Sequence, residues 1–100
     1  MYRQQLRFVL RFGAHPQLDE LVKRLRAAEA DRGWTSPRVW HTVGGRVNEI
    51  AIEHDWPDAE AFRAEREAFH AEPGEVGAVL AELTQLTVEG TVVQQDFDEL

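Results

Sequence analysis

Cysteine is absent from the 100-residue chain, which excludes disulfides, thiolate metal sites and a cysteine nucleophile. A cysteine-free chain fits a reducing cytoplasm, the location expected here. Serine is nearly absent too. Ser36 is the only one, it precedes Pro37, and no nucleophile-elbow pattern surrounds it. No apolar run approaches the ~18 residues of a membrane span. The stretch Met1-Tyr2-Arg3-Gln4-Gln5-Leu6-Arg7 brings charge early, so no export signal is expected. Gly44-Gly45 is followed by no Lys-Ser or Lys-Thr, which sets aside a phosphate-binding loop. Basic residues are scattered, without a stripe, and the formal net charge is −7. Such a surface repels phosphate backbones, so nucleic acid is not an expected partner.

What is present makes one domain, expected to span residues 1–100. Leu6-Arg7-Phe8-Val9-Leu10-Arg11-Phe12 alternates. Period two predicts a strand with Leu6, Phe8, Leu10 and Phe12 in a core and Arg7, Val9 and Arg11 on the opposite face. His15-Pro16 opens a helix whose stripe is Leu18, Leu21, Val22, Leu25 and Ala28. Gly33 ends it, and Trp34 folds back on its last turn. A second strand is predicted over Arg38–Val43. A tight turn at Gly44-Gly45 follows, then a third strand from Arg46 to Asp55. With a two-residue turn, Trp40 faces Glu49 and Arg38 faces Ala51. Val39, Val43, Ile50 and Ile52 then share one face, and Trp40, Thr42, Val47, Glu49, Ala51 and Glu53 the other. Asp58 caps a helix carrying Phe62 and Phe69, which Pro73-Gly74 breaks. A helix from Glu75 to Thr87 buries Val76, Val79, Leu80, Leu83 and Leu86. Thr91–Phe97 is the last strand.

This order predicts an α+β fold, the ferredoxin-like β-α-β-β-α-β sandwich, with a four-stranded antiparallel sheet and helices on one face. The uncovered face would carry Arg7, Val9, Arg11, Trp40, Thr42, Val47, Glu49, Ala51 and Glu53. Those residues are too apolar for an idle wet surface and too charged for a plain core. A second sheet closing over them, with a semi-polar cavity between, satisfies both properties. Arg7 and Arg11 are then expected across from Glu49 and Glu53 as ion pairs.

These features resemble the dimeric α/β-barrel superfamily, which includes the antibiotic biosynthesis monooxygenases and NIPSNAP-like proteins. The resemblance rests on the alternating strand before Gly13 and on Gly44-Gly45-Arg46-Val47-Asn48-Glu49 leading into Ile50-Ala51-Ile52-Glu53-His54-Asp55-Trp56. The helix from Asp58 through Arg66 and a late acidic strand complete it. It implies a homodimer whose sheets pack face to face as a barrel. It carries no catalytic set, because the superfamily's oxygenases, haem-degrading enzymes, isomerases and cyclases share none.

Candidate chemistry comes from the residues themselves. Arg7 and Arg11 would orient a small organic substrate, with Glu49 or Glu53 moving a proton and Trp40 forming an apolar wall. His41 is read as a structural histidine on the helix side, or as a base or ligand contact if the hairpin is longer. His54-Asp55 is read as a local polar contact, His15 as the helix entrance, and His70 as exposed. None of the four histidines is spaced for a metal, so neither a metal nor a cofactor is expected. The leading reading is a homodimeric barrel binding a small organic molecule, performing a cofactor-independent oxidation, isomerisation or cyclisation. The rival is a non-catalytic dimerisation or regulatory module. A haem-handling protein, with His41 or His70 as ligand, is a third.

Overall fold

The alternating segment becomes strand β1 (Tyr2–Val9) in the computed structural model, which describes residues 1–100. The remaining strands are β2 (Arg38–His41), β3 (Glu49–Trp56) and β4 (Val93–Asp98). The helices are α1 (His15–Asp31), α2 (Ala59–Ala71) and α3 (Gly74–Leu86). Every strand pair is antiparallel, and the order across the sheet is β2-β3-β1-β4. This is the ferredoxin-like α+β fold, with its second helix divided in two at Pro73-Gly74.

Local signals account for the helices. Pro16 stands in the first turn of α1, where a missing N–H costs no helical bond. Gly33, at φ 70°, lets the chain reverse, so that Gly33 N donates to Ala30 O and Trp34 N to Glu29 O. Asp58 caps α2, its Oδ1 accepting from Ala61 N at 2.8 Å.

The core lies between one face of the sheet and the helices. Phe8 and Leu10 meet Ile50 and Ile52 from β3, Leu18, Leu21 and Leu25 from α1, and Val76, Val79 and Leu83 from α3. Burying each such side chain contributes about 1.5–3 kcal/mol, and this shared layer holds α1 and α3 to the sheet.

Phe12 departs from the alternation. The strand ends at Val9, Leu10 keeps an isolated bridge to Thr87 and donates its N–H to Asn48 O, and Ala14 N closes a turn onto Arg11 O. The chain has left the sheet before the third repeat of the pattern. Phe12 is therefore 89% exposed rather than in the core.

The β2–β3 connection also departs. It runs from Thr42 to Asn48, with Gly44, Gly45 and Asn48 all at positive φ, and is not a two-residue turn. Trp40 consequently faces Ala51, and Arg38 faces Glu53. The register has slipped by two residues against expectation. Because strand faces alternate with period two, no β2 side chain changes side. Val43 and Val47 are lost from the sheet and lie exposed in the loop.

Candidate ligand cavity

The two faces of the sheet carry different chemistry. On the open face, Arg3, Gln5 and Arg7 of β1 stand opposite Asp55, Glu53 and Ala51 of β3. Glu53 is largely buried and accepts from Arg38 Nη2 at 2.7 Å and from Gln5 Nε2 at 3.2 Å. Arg3 Nε donates to Asp55 Oδ1 at 2.8 Å, and Arg38 Nη2 to Asp55 Oδ2 at 2.6 Å. The Arg3 hydrogen bonds, more than those of Arg38, hold the Asp55 carboxyl down at about 2 against the opposing effect of burial.

These contacts correct the anticipated ion pairs. Arg7 faces Ala51 and makes no salt bridge, and Glu49 stands opposite Val9. Arg11 has left the sheet for the β1–α1 turn, where its Nε donates to Gln85 O at 3.1 Å. The ladder instead sets Arg3 and Arg38, one strand on either side of β3, against Glu53 and Asp55. Arg7, Trp40, Glu49 and Glu53 do share the open face. His41 does not: it pairs with Ile50 on the helix side and borders a separate groove between α1 and β2 beside His15 and Lys23.

A second recess opens on the helix side. A cavity of about 280 Å³ lies between β1, β3 and the three helices, walled by Trp34, Trp56, Phe62 and Phe69. Trp56 meets Phe62 edge-on at 4.9 Å, and Trp34 meets Phe69 likewise at 6.4 Å. None of Arg7, Arg11, Trp40, His41, Glu49 or Glu53 lines this cavity.

Its polar groups come from three elements. Alternation along β3 sends His54 inward with Ile50, Ile52 and Trp56. Glu29 follows Leu25 by one helical turn, which places a carboxylate on the buried stripe of α1 at 4% exposure. The two meet: His54 Nε2 lies 3.0 Å from Glu29 Oε2 and 3.2 Å from Oε1. A carboxylate at that distance accepts from Nε2–H, and a neutral ring in that contact carries its lone pair on Nδ1. Nδ1 has no hydrogen-bond partner in the chain and is not sealed from open space. His54 also stacks on Trp56, with ring centres 5.7 Å apart.

The other carboxylate at the wall is occupied. Glu65 accepts from Trp56 Nε1 at 2.6 Å and from Thr35 N at 2.8 Å. Gln4 stands directly across the ladder from His54, and its Nε2 is buried without any partner. The sequence suggests a local polar contact between His54 and Asp55. The alternation separates those neighbours: Asp55 points to the open face and His54 into the cavity. The sequence signal for Glu29 is a carboxylate four residues beyond Leu25 on an apolar stripe. No helix is long and apolar enough to cross a membrane.

No family model matches the chain, and no curated protein matches it. Solved structures do. A NIPSNAP domain protein from Burkholderia xenovorans superposes with a TM-score of 0.75 at 14% identity, covering 100% of this chain and 95% of that one. A NIPSNAP family protein of unknown function from Agrobacterium tumefaciens gives 0.71 at 16% identity, covering 99% and 87%. An antibiotic biosynthesis monooxygenase gives 0.72 at 10% identity, covering 100% and 99%. The chain shares the fold of these proteins over its whole length.

Proposed function

We propose that this protein binds a small, flat, largely apolar organic molecule in the helix-side cavity and uses His54 there as a proton acceptor. One observation carries the reading. A buried carboxylate, Glu29, holds the imidazole of His54 in the wall of an aromatic-lined cavity. The pair supplies a base held in one tautomer, with a negative charge ready to offset the imidazolium once formed. Its mostly apolar surroundings strengthen both effects. Deprotonation of this kind is a first step common to cofactor-independent oxidation, isomerisation and cyclisation. The similarity to a monooxygenase fold is in keeping with that class of chemistry, and a cysteine-free chain is suited to a reducing cytoplasm.

The reading includes a second copy of the chain over the open face. Trp40, Val93 and Phe97 are exposed there, at 53%, 48% and 44%. Between them lies the Arg3, Arg38, Glu53 and Asp55 network, already paired within one copy. An apolar surface interrupted by satisfied charges suits isologous closure by a second sheet. In this arrangement Arg7, Trp40, Glu49 and Glu53 belong to the contact between copies, and the chemistry belongs to the opposite face.

Titration with 2-naphthol, followed by quenching of tryptophan fluorescence, tests the cavity. Saturable quenching is expected in the parent protein. Leu80→Trp, which fills the space, should weaken binding at least ~10-fold, the equivalent of about 1.4 kcal/mol. Arg7→Ala and Glu49→Ala should leave it unchanged. Binding that survives Leu80→Trp, or that disappears in Glu49→Ala, would place the ligand elsewhere.

A further inference from the structure

We infer that Arg7 and Glu49 select the partner on the open face, Arg7 of each copy pairing with the partner's Glu49 in two reciprocal ion pairs. The inference rests on the second-copy reading above and names the contacts that make it specific. The strands present Arg3, Arg7 and Arg38 on that face, together with Glu49, Glu53 and Asp55. Strand β4 adds no charge, since its residues on this side are Val93, Gln95 and Phe97. Arg3 and Arg38 are taken by Glu53 and Asp55 within one copy. Arg7 and Glu49 are what is left, one of each sign. Both are already partly buried, and neither side chain makes an ion pair or a hydrogen bond.

The ladder shows why the two stay apart within a copy. Arg7 stands between Ala51 of β3 and Val93 of β4, and Glu49 stands opposite Val9. Arg7 and Glu49 are therefore diagonal neighbours, about 7–8 Å apart, rather than an opposed pair. Side chains on a strand project roughly perpendicular to the sheet. These two long arms rise past the shorter Val9, Ala51 and Val93, and carry their charges to the level where a second sheet would lie.

A second sheet without counter-charges would strand a guanidinium and a carboxylate away from water, at a large cost in lost hydration. Contact with an identical copy removes that cost. Across a two-fold axis, residue i meets residue j and residue j meets residue i. One unpaired cation and one unpaired carboxylate per copy is a pattern that a second copy of this chain satisfies. A copy displaced along the strands would set Arg7 against a network that is already paired and would leave both charges alone. The same two residues thus favour one register of the contact.

Charge reversal tests the pairing, with sedimentation for the dissociation constant and native mass spectrometry for composition. Arg7→Glu places two carboxylates per copy in the contact, and Glu49→Arg two guanidinium groups. Each variant alone should dimerise at least ~10-fold more weakly than the parent. Mixed in equal amounts, the two should form a heterodimer in preference to either homodimer, because each then supplies the charge the other lacks. Arg7→Glu combined with Glu49→Arg should restore the homodimer. Circular dichroism checks that each variant folds, and 2-naphthol quenching should be the same in all of them. Should a reversal fail to fold, Arg7→Gln and Glu49→Gln replace it. Each alone leaves a charge unpaired in the contact and should weaken the dimer, and combining them should recover part of the loss. If the single variants dimerise as tightly as the parent, or if the mixture gives a statistical distribution of dimers, the pairing is wrong and the second-copy reading stands. A parent chain that is monomeric at micromolar concentration overturns both.

Discussion

The Tyr2 hydroxyl donates to Asp96 Oδ2 at 2.5 Å, tying the start of β1 to β4 at the edge of the sheet. That hydrogen bond, reinforced by burial and by the charges of Asp96 and Asp98, pushes the phenol up from 10.0 to about 12. Tyr2 is the only tyrosine, so a spectrophotometric titration reports on it alone. The midpoint should fall near 12 in the folded protein and move back toward 10 in Asp96→Asn. Between those values the folded chain keeps a proton that the unfolded chain has lost. The contribution to stability is therefore complete below pH 10 and lost as pH rises toward 12.

Asp55 works in the opposite direction. Held at about 2 by Arg3 and then Arg38, it stays charged in the folded state under conditions where the unfolded carboxyl, at 3.8, takes up a proton. Its stabilisation is present above pH ~4 and is lost as pH falls toward 2. Asp55→Asn should lower stability at neutral pH and flatten the fall in denaturation midpoint across that acid window. Urea melts at several pH values measure both effects.

Leu10 and Phe12 belonged to one alternating face in the sequence, and their mutants should differ sharply. Leu10 is 1% exposed and Phe12 is 89% exposed. Leu10→Ala is expected to cost about 2–5 kcal/mol. Phe12→Ser should stay within about 0.5 kcal/mol of the parent. Chemical denaturation of the two variants side by side checks where β1 ends.

Sedimentation at micromolar concentration addresses the open face. The parent chain should run as a dimer, and Trp40→Lys combined with Phe97→Lys should run as a folded monomer with an unchanged circular dichroism spectrum. A parent chain that sediments as a monomer would remove the second copy from the reading while leaving the cavity untouched.

Much of this was legible before any coordinates. Period two in β1, the proline and glycine boundaries of α1 and the two-glycine hairpin fix the order of elements, because each has a local physical cause. Register was less legible: the glycines announce a turn but not its length, and the β2–β3 loop proved longer. The slip was even, so Trp40, Glu49 and Glu53 still came out on the expected side. Pairing was not legible. Arg3 and Arg38 were passed over for Arg7 and Arg11, since a sequence shows which residues share a face but not which stand opposite one another. The cavity was the hardest part. Glu29 and His54 are twenty-five positions apart, on different kinds of element, and only the packing of α1 on the sheet brings them together.

Helix α2 supplies Phe62, Phe69 and the rim residues Glu65, Arg66 and His70, yet none of its side chains is fully buried. Helix α1, by contrast, buries Leu18, Leu21 and Leu25. The fold has in effect left one helix without a core of its own, and an occupant of the cavity would complete it. The amides of α2 should exchange with solvent sooner than those of α1, and a bound guest should slow them selectively. Entry would then require only that this one wall lift away, while the sheet and its other two helices hold their shape.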